Sequence, residues 1–322
     1  MPLPEEFHEL ARAVNNWGRW GDDDELGTLN LVTDDVVRRA AACVKTGRRF
    51  SLAIPLSEDG PDLGNIPGRA GNPQRTMLSL HKSSAPGWGP HKKLGEDPDQ
   101  MHSSDDAVSM PLQSATHWDS LAHVSYMGRL YNGFPMSTVD EMGASHLGIG
   151  NVRILVSRGV LLDVARARGT DPLDIGYAIG PDDLDAAEKL AGVRVGSGDI
   201  ILIRTGHMRR LKEGSRQDYS GMLGGFPGPG MQSARWFRDR DVSAVATDTP
   251  GFEVWPPERD DLLLPVHLLD IVEMGLTQGQ NWDFEDLAAD CAGDGVYEFL
   301  LSASPEPFER GLGSPVNPVA VK

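Results

Sequence analysis

Cysteine is scarce in this chain: two in 322 residues, Cys43 and Cys291, with no CxxC pair between them. That excludes a cysteine-built zinc knuckle or a disulfide scaffold and suits two small buried thiols in a reducing compartment. Cations are also in short supply, 30 Lys and Arg against 47 Asp and Glu, for a formal net charge of −17. Nucleic-acid binding needs clustered cations to neutralise phosphates, so that role is excluded. No apolar run approaches the ~18 residues that span a bilayer. The opening MPLPEEFHELARAVNNWGRW is amphipathic and acidic, without the basic start and apolar middle of a secretory leader. The expectation is a cytoplasmic protein with a small-molecule substrate and no membrane or nucleic-acid partner.

A hydrophobic content of 39% and a charged content of 24% fit a soluble fold with a real core. No repeat and no convincing linker divides the chain, so it reads as a single domain over 1–322, with a loop-rich insertion around 57–111. There Gly, Pro, Ser and Asp dominate, which predicts long loops, either a lid or plain surface. From about Val152 strands and helices interleave. GVLLDVA (Gly159–Ala165), GDIILIRTG (Gly198–Gly206) and SAVATDTP read as strands, the last ending at Asp248. GPDDLDAAEKLAGV reads as a helix capped by Asp182 or Asp183, MQSARWFRDRDV as another, and LLPVHLLDIVEMG as a third, closed by Gly275. The C-terminal GLGSPVNPVAVK reads as loop and an edge strand. The fold class is α/β.

Polar chemistry crowds into LQSATHWDSLAHV, Leu112–Val124. In extended conformation Gln113, Ala115, His117 and Asp119 share one face. An imidazole, a carboxylate and an amide oxygen would then converge, a donor set for a divalent ion such as zinc or manganese. His123, four residues on, is either a further ligand or a proton-transfer group. The competing reading is a hydrogen-bonded piece of core.

This segment resembles the signature H-x-G-T-H-x-D-x-P-x-H of the cyclase-type metal-dependent hydrolases, the family of kynurenine formamidase and isatin hydrolase. Thr116, His117, Asp119 and His123 match it, whereas Gln113, Ala115 and Leu121 stand where the signature has His, Gly and Pro. WGDDDELGTLNLVT, RLYNG, SRGVLLDVAR, GDIILIRTG, TDTPGFEVWP and GSPVNPVAV extend the resemblance along the chain, to a longer branch of roughly 300 residues. It implies mixed β-sheets with helices packed outside, and homodimers or homotetramers. It also implies metal ligands at Gln113, His117 and Asp119, with His123 as general acid/base. In two-metal members a later His is matched by His267, and a following Glu place falls on Gln280. Two neutral Gln replacements favour one divalent ion, manganese or zinc. The implied activity is hydrolysis of an amide, imide, ester or lactone in a small cyclic substrate by a metal-activated water. A lyase or cyclase, or an inactive ligand-binding member, is the alternative.

Further residues carry two readings each. Asp248 at a strand end faces either a ligand crevice or an Asx-turn into Pro250. Glu253 and Trp255 orient the site or line its pocket. His207 tunes substrate choice or fills space, and Trp88 is a substrate wall or surface decoration.

Overall fold

Three apolar runs pair side by side as parallel strands: Val156–Asp163, Ile200–Arg204 and Ala244–Thr247. Side chains alternate between two faces, and both faces are apolar. Val160, Leu162, Ile201, Ile203 and Val245 enter one core cluster, while Leu161, Ile200, Leu202, Ala244 and Ala246 enter another. A sheet buried on both sides is why these segments read as continuous hydrophobic runs. The computed structural model describes residues 3–63, 71–82, 102–221 and 224–322.

Among the described residues the full sheet has nine strands. Beyond the parallel trio, Thr277–Gln280 adds a fourth parallel strand. His117–Asp119 then pairs antiparallel with it, and Gly313–Pro315 closes that edge. On the other side run Glu298–Ser302, Val319–Val321 and finally Arg49–Ser51, all antiparallel. The fold is therefore α/β with a mixed sheet and helices packed on it. One face is covered by the helices Glu5–Val14, Pro181–Ala191 and Ser233–Asp239 and by the helical segment from Pro265 to Met274, the other chiefly by Glu285–Asp294.

Several expectations need adjustment. The strand at 156 starts three residues before Gly159 and ends at Asp163, whose carboxylate caps the short helix Val164–Arg168. The 181–191 helix is capped at Gly180, and Asp183 reaches back to that residue's N–H at 2.9 Å. The terminal strand Val319–Val321 is not an edge, because Arg49–Ser51 lies outside it. Within 57–111 the described residues include a two-stranded ribbon, Gln74–Lys82 with Ser103–Ser109, where composition predicts loop. Both cysteines are free thiols.

Candidate metal-binding and catalytic site

The site is built where the carboxyl ends of the parallel strands meet the antiparallel strand His117–Asp119, the usual place for ligands in α/β sheets. Antiparallel partners share a face. Gln280 lies opposite His117, and Gly279 opposite Trp118. Trp118 thus turns into the lower core against Trp282, ring centroids 4.8 Å apart, while His117 and Asp119 turn to the opposite face. Gly279 makes this possible: a Cβ there would lie 2.8 Å from the Trp118 ring.

The predicted alternation from Gln113 onward fails, and its cause is local. Regular extension covers only His117–Asp119; Gln113 lies in a turn and Ala115 adopts φ +56°. A left-handed residue breaks the two-residue period. Gln113 nevertheless returns by another route. Its amide fills the space that a side chain at Gly313 would take, 2.7 Å from an ideal Cβ there. Gly313 sits opposite Asp119, so that space is on the face of the carboxylate.

His117 and Asp119 are almost completely buried. The Gln280 amide lies between them: Nε2 donates to Asp119 Oδ2 at 2.5 Å, and Oε1 faces His117 Nε2 at 3.1 Å. His117 Nδ1 meets the Ala115 carbonyl at 2.8 Å and, in the neutral ring, donates to it. Nε2 then presents a lone pair to the amide oxygen. Turning the amide only moves the conflict, since Oε1 would then abut the carboxylate. A cation or an added proton among these atoms resolves it. Among the described residues Asp119 Oδ1 meets no hydrogen-bond donor although it is buried, and it lies 3.6 Å from His117 Nε2 and 3.7 Å from His123 Nε2. Those separations exceed a hydrogen bond and resemble the spacing of donors sharing one ion at about 2.0–2.2 Å.

Among the described residues no three His, Cys, Asp or Glu side chains are arranged to hold an ion unaided. The groups that converge are His117, Asp119 and the Gln280 amide oxygen, a set whose chemistry fits a divalent ion. The acceptor-only corner at Asp119 Oδ1 is the observation behind that fit. His123 stands at the rim, its side chain about a third exposed.

His267 and Glu253 form a buried pair beside this centre. Glu253 accepts from the backbone N–H groups of Val266 and His267 and meets His267 Nδ1 at 2.5 Å. Burial alone would depress the imidazole, but the Glu253 hydrogen bond and charge, with Asp119 adding to them, hold its pKa above the ordinary value. Gln280 is engaged by His117 and Asp119.

Asp248 follows its strand directly, as read, but both oxygens are occupied. They accept from Thr205 N, Thr205 Oγ1 and Gly206 N at 2.7–2.9 Å. Burial pushes this carboxyl up to about 7, opposed by the Thr205 hydrogen bonds and the nearby Arg204. His207 is buried against Tyr219, donating from Nε2 to its carbonyl at 2.8 Å, and burial lowers its pKa to about 4. Trp255 is 37% exposed and forms an antiparallel bridge with Phe226. Trp88 lies outside the described residues. Sequence reasoning missed Asn281 and Tyr219: Asn281 Nδ2 donates to the Ala115 carbonyl at 3.0 Å, and the Tyr219 hydroxyl donates to Asn281 Oδ1 at 2.8 Å. An Asn directly after Gln280 was a signal, since Asn tolerates the left-handed backbone it adopts there; Tyr219 gave none.

A mixed α/β sheet with an imidazole, a carboxylate and amides converging at its strand ends defines the class of this protein. Residues 50–254 match the family model of the Cyclase family, and the chain belongs to that family. The crystal structure of a novel cyclase is 36% identical, covers 97% of this chain and 99% of its own, and superimposes with a TM-score of 0.84. Isatin hydrolase A from Labrenzia aggregata, solved with benzyl benzoate, is 19% identical over 87% of this chain and 94% of its own, TM-score 0.62. A potential metal-dependent hydrolase with cyclase activity is 15% identical over 85% of this chain and 98% of its own, TM-score 0.50. The last two are likenesses of fold. None of the curated proteins compared matches the chain.

Proposed function

We propose that the chain is a metal-dependent hydrolase that opens an amide, imide, ester or lactone bond in a small cyclic substrate. The observation that carries this reading is the buried, donorless Asp119 Oδ1 set between the Nε2 atoms of His117 and His123. His117 Nε2 and Asp119 Oδ1, assisted by the Gln113 amide, would hold one manganese or zinc ion. Such an ion supplies Lewis acidity, lowering the pKa of water and polarising a carbonyl.

The chain's own groups do the rest. The Ala115 carbonyl fixes the His117 ring, and Gln280 fixes Asp119 through its other oxygen. His123 Nε2 takes the proton of the attacking water and returns it to the leaving nitrogen or oxygen, a role suited to an imidazole at the rim. Neutral Gln at positions 113 and 280 supports one ion over two, because the site offers one carboxylate where a second charge would be needed. The same reading expects a homodimer or homotetramer.

The test is metal content by mass spectrometry on tag-free protein, beside His117→Ala, with hydrolysis followed in ¹⁸O-water. About one manganese or zinc per chain is expected, lost in the variant, with solvent oxygen entering the new carboxylate. A protein that binds neither ion after both are supplied would sink the reading.

A further inference from the structure

Two residues with left-handed backbone face each other immediately behind the site: Ala115 at φ +56° and Asn281 at φ +60°. Alanine resists that conformation, which costs an L-residue roughly 1–2 kcal/mol, so the surroundings must impose it. Four hydrogen bonds do so. Asn281 Nδ2 donates to the Ala115 carbonyl at 3.0 Å, and Thr116 Oγ1 donates to the Asn281 carbonyl at 2.6 Å. Asn281 N donates to the Thr249 carbonyl at 3.0 Å. The Tyr219 hydroxyl donates to Asn281 Oδ1 at 2.8 Å, a shorter contact than its 3.3 Å approach to the Asp248 carbonyl.

The result of this clamp is the direction of one carbonyl. Ala115 O accepts from Asn281 and also from His117 Nδ1, only two residues along the chain. An imidazole that donates from Nδ1 keeps Nε2 as its acceptor, and Nε2 is the nitrogen that faces Asp119 and Gln280. Asn281 and Tyr219 are themselves buried, at 5% and 0% exposure, so water does not compete for these bonds.

We propose that Asn281, steadied by Tyr219, is a positioning residue that orients the Ala115 carbonyl and thereby fixes the His117 ring with Nδ1 protonated and Nε2 presented to the site. The consequence for ion binding rests on the hydrolase reading, whereas the ring geometry does not. Outer partners that set the orientation of a metal-binding His are typically worth ~10–100-fold in affinity.

The experiment compares wild type with Asn281→Gly, which tolerates the left-handed backbone, and Tyr219→Phe. Long-range ¹H–¹⁵N spectra report the His117 tautomer, its signals assigned by their loss in His117→Gln, and titration with Mn²⁺ or Zn²⁺ reports affinity. Expected are a single Nδ1–H tautomer in wild type and a tautomer mixture in Asn281→Gly with affinity weakened ~10–100-fold. Tyr219→Phe is expected to shift both readouts in the same direction by less, and it decides the matter if Asn281→Gly does not fold. A folded Asn281→Gly, or in its absence a folded Tyr219→Phe, with the wild-type tautomer would overturn the proposal. Should wild type bind neither ion, the hydrolase reading fails and the ring spectra still decide this one.

Discussion

Two aspartates stand at the C-terminal ends of strands that Thr277–Gln280 separates, and both are fully buried: Asp119 and Asp248. Asp248 accepts three hydrogen bonds from Thr205 and Gly206. Asp119 accepts one from Gln280 and leaves Oδ1 without a donor, facing two imidazoles. Position alone, at the end of a strand, recommends them equally as functional groups. Their hydrogen bonds separate them. A carboxylate whose lone pairs are filled by backbone N–H holds a turn, and one with an open lone pair in a dry place awaits an electrophile. Asp270 shows that the open oxygen is insufficient by itself: its Oδ1 also lacks a donor, and burial pushes its carboxyl up to about 8. What distinguishes Asp119 is the pair of histidine nitrogens beside the open atom.

The comparison is broken most directly by removing each charge in turn. Asp119→Asn keeps the shape and is expected to leave stability within about 1 kcal/mol of wild type, since no donor is orphaned. Ion affinity should fall more than the ~100-fold typical of an outer partner, because a direct ligand is lost. Asp248→Ala should do the reverse. It strands two buried N–H groups at roughly 1–3 kcal/mol each, partly offset by release of a buried charge, for a net loss of about 3 kcal/mol. Denaturant unfolding and ion stoichiometry on the folded fraction check both. If folded Asp248→Ala also loses its ion, the distinction is wrong.

A second prediction sharpens the contrast between rim and interior histidines. His207 is buried with its folded pKa lowered to about 4, against an unfolded value near 6.5. The native state therefore binds fewer protons in that window, and stability falls with pH from 6.5 towards 4. Between pH 6.5 and 5 the loss is about 2 kcal/mol by the usual 1.36 kcal/mol per unit. His207→Gln, compared by urea unfolding at both pH values, should remove that slope whatever its stability at neutral pH. An unchanged slope would mean that other groups carry the acid sensitivity.

The sequence was most readable where physics is local or periodic. Both-face burial made Ile200–Arg204 and Ala244–Thr247 recognisable as strands. The approach of His117 to Asp119 follows from spacing, because residues two apart on a strand share a face, whereas the roles given to these residues and to His123 came from the resemblance to the family signature. Thr277–Gln280 was not recognised as a strand, since its polar TQGQ pattern exists to serve the site and to admit Trp118, not to fill a core. Gln113 was placed for the wrong reason, and only the space left by Gly313 explains its return. Asn281 and Tyr219 act through contacts 166 and 62 residues apart in sequence. No window along the chain carries such information.

The smallest effect concerns Ala115, which stands where the family signature has Gly. Its left-handed conformation costs roughly 1–2 kcal/mol, which glycine would relieve. Two losses oppose that gain. Glycine gives up about 0.5–1 kcal/mol of extra chain entropy on folding. Removing the methyl, which is buried against Ile54, Met208 and Tyr219, forfeits about 0.8 kcal/mol of burial. Ala115→Gly should therefore lie within about 1 kcal/mol of wild type, with the His117 ring orientation kept because the clamp on the carbonyl remains. Ala115→Val, β-branched at a positive φ, should lose more than about 2 kcal/mol. Urea midpoints for the pair separate strain from packing. A glycine variant that loses more than about 2 kcal/mol would show that the methyl contact, and not the backbone, dominates here.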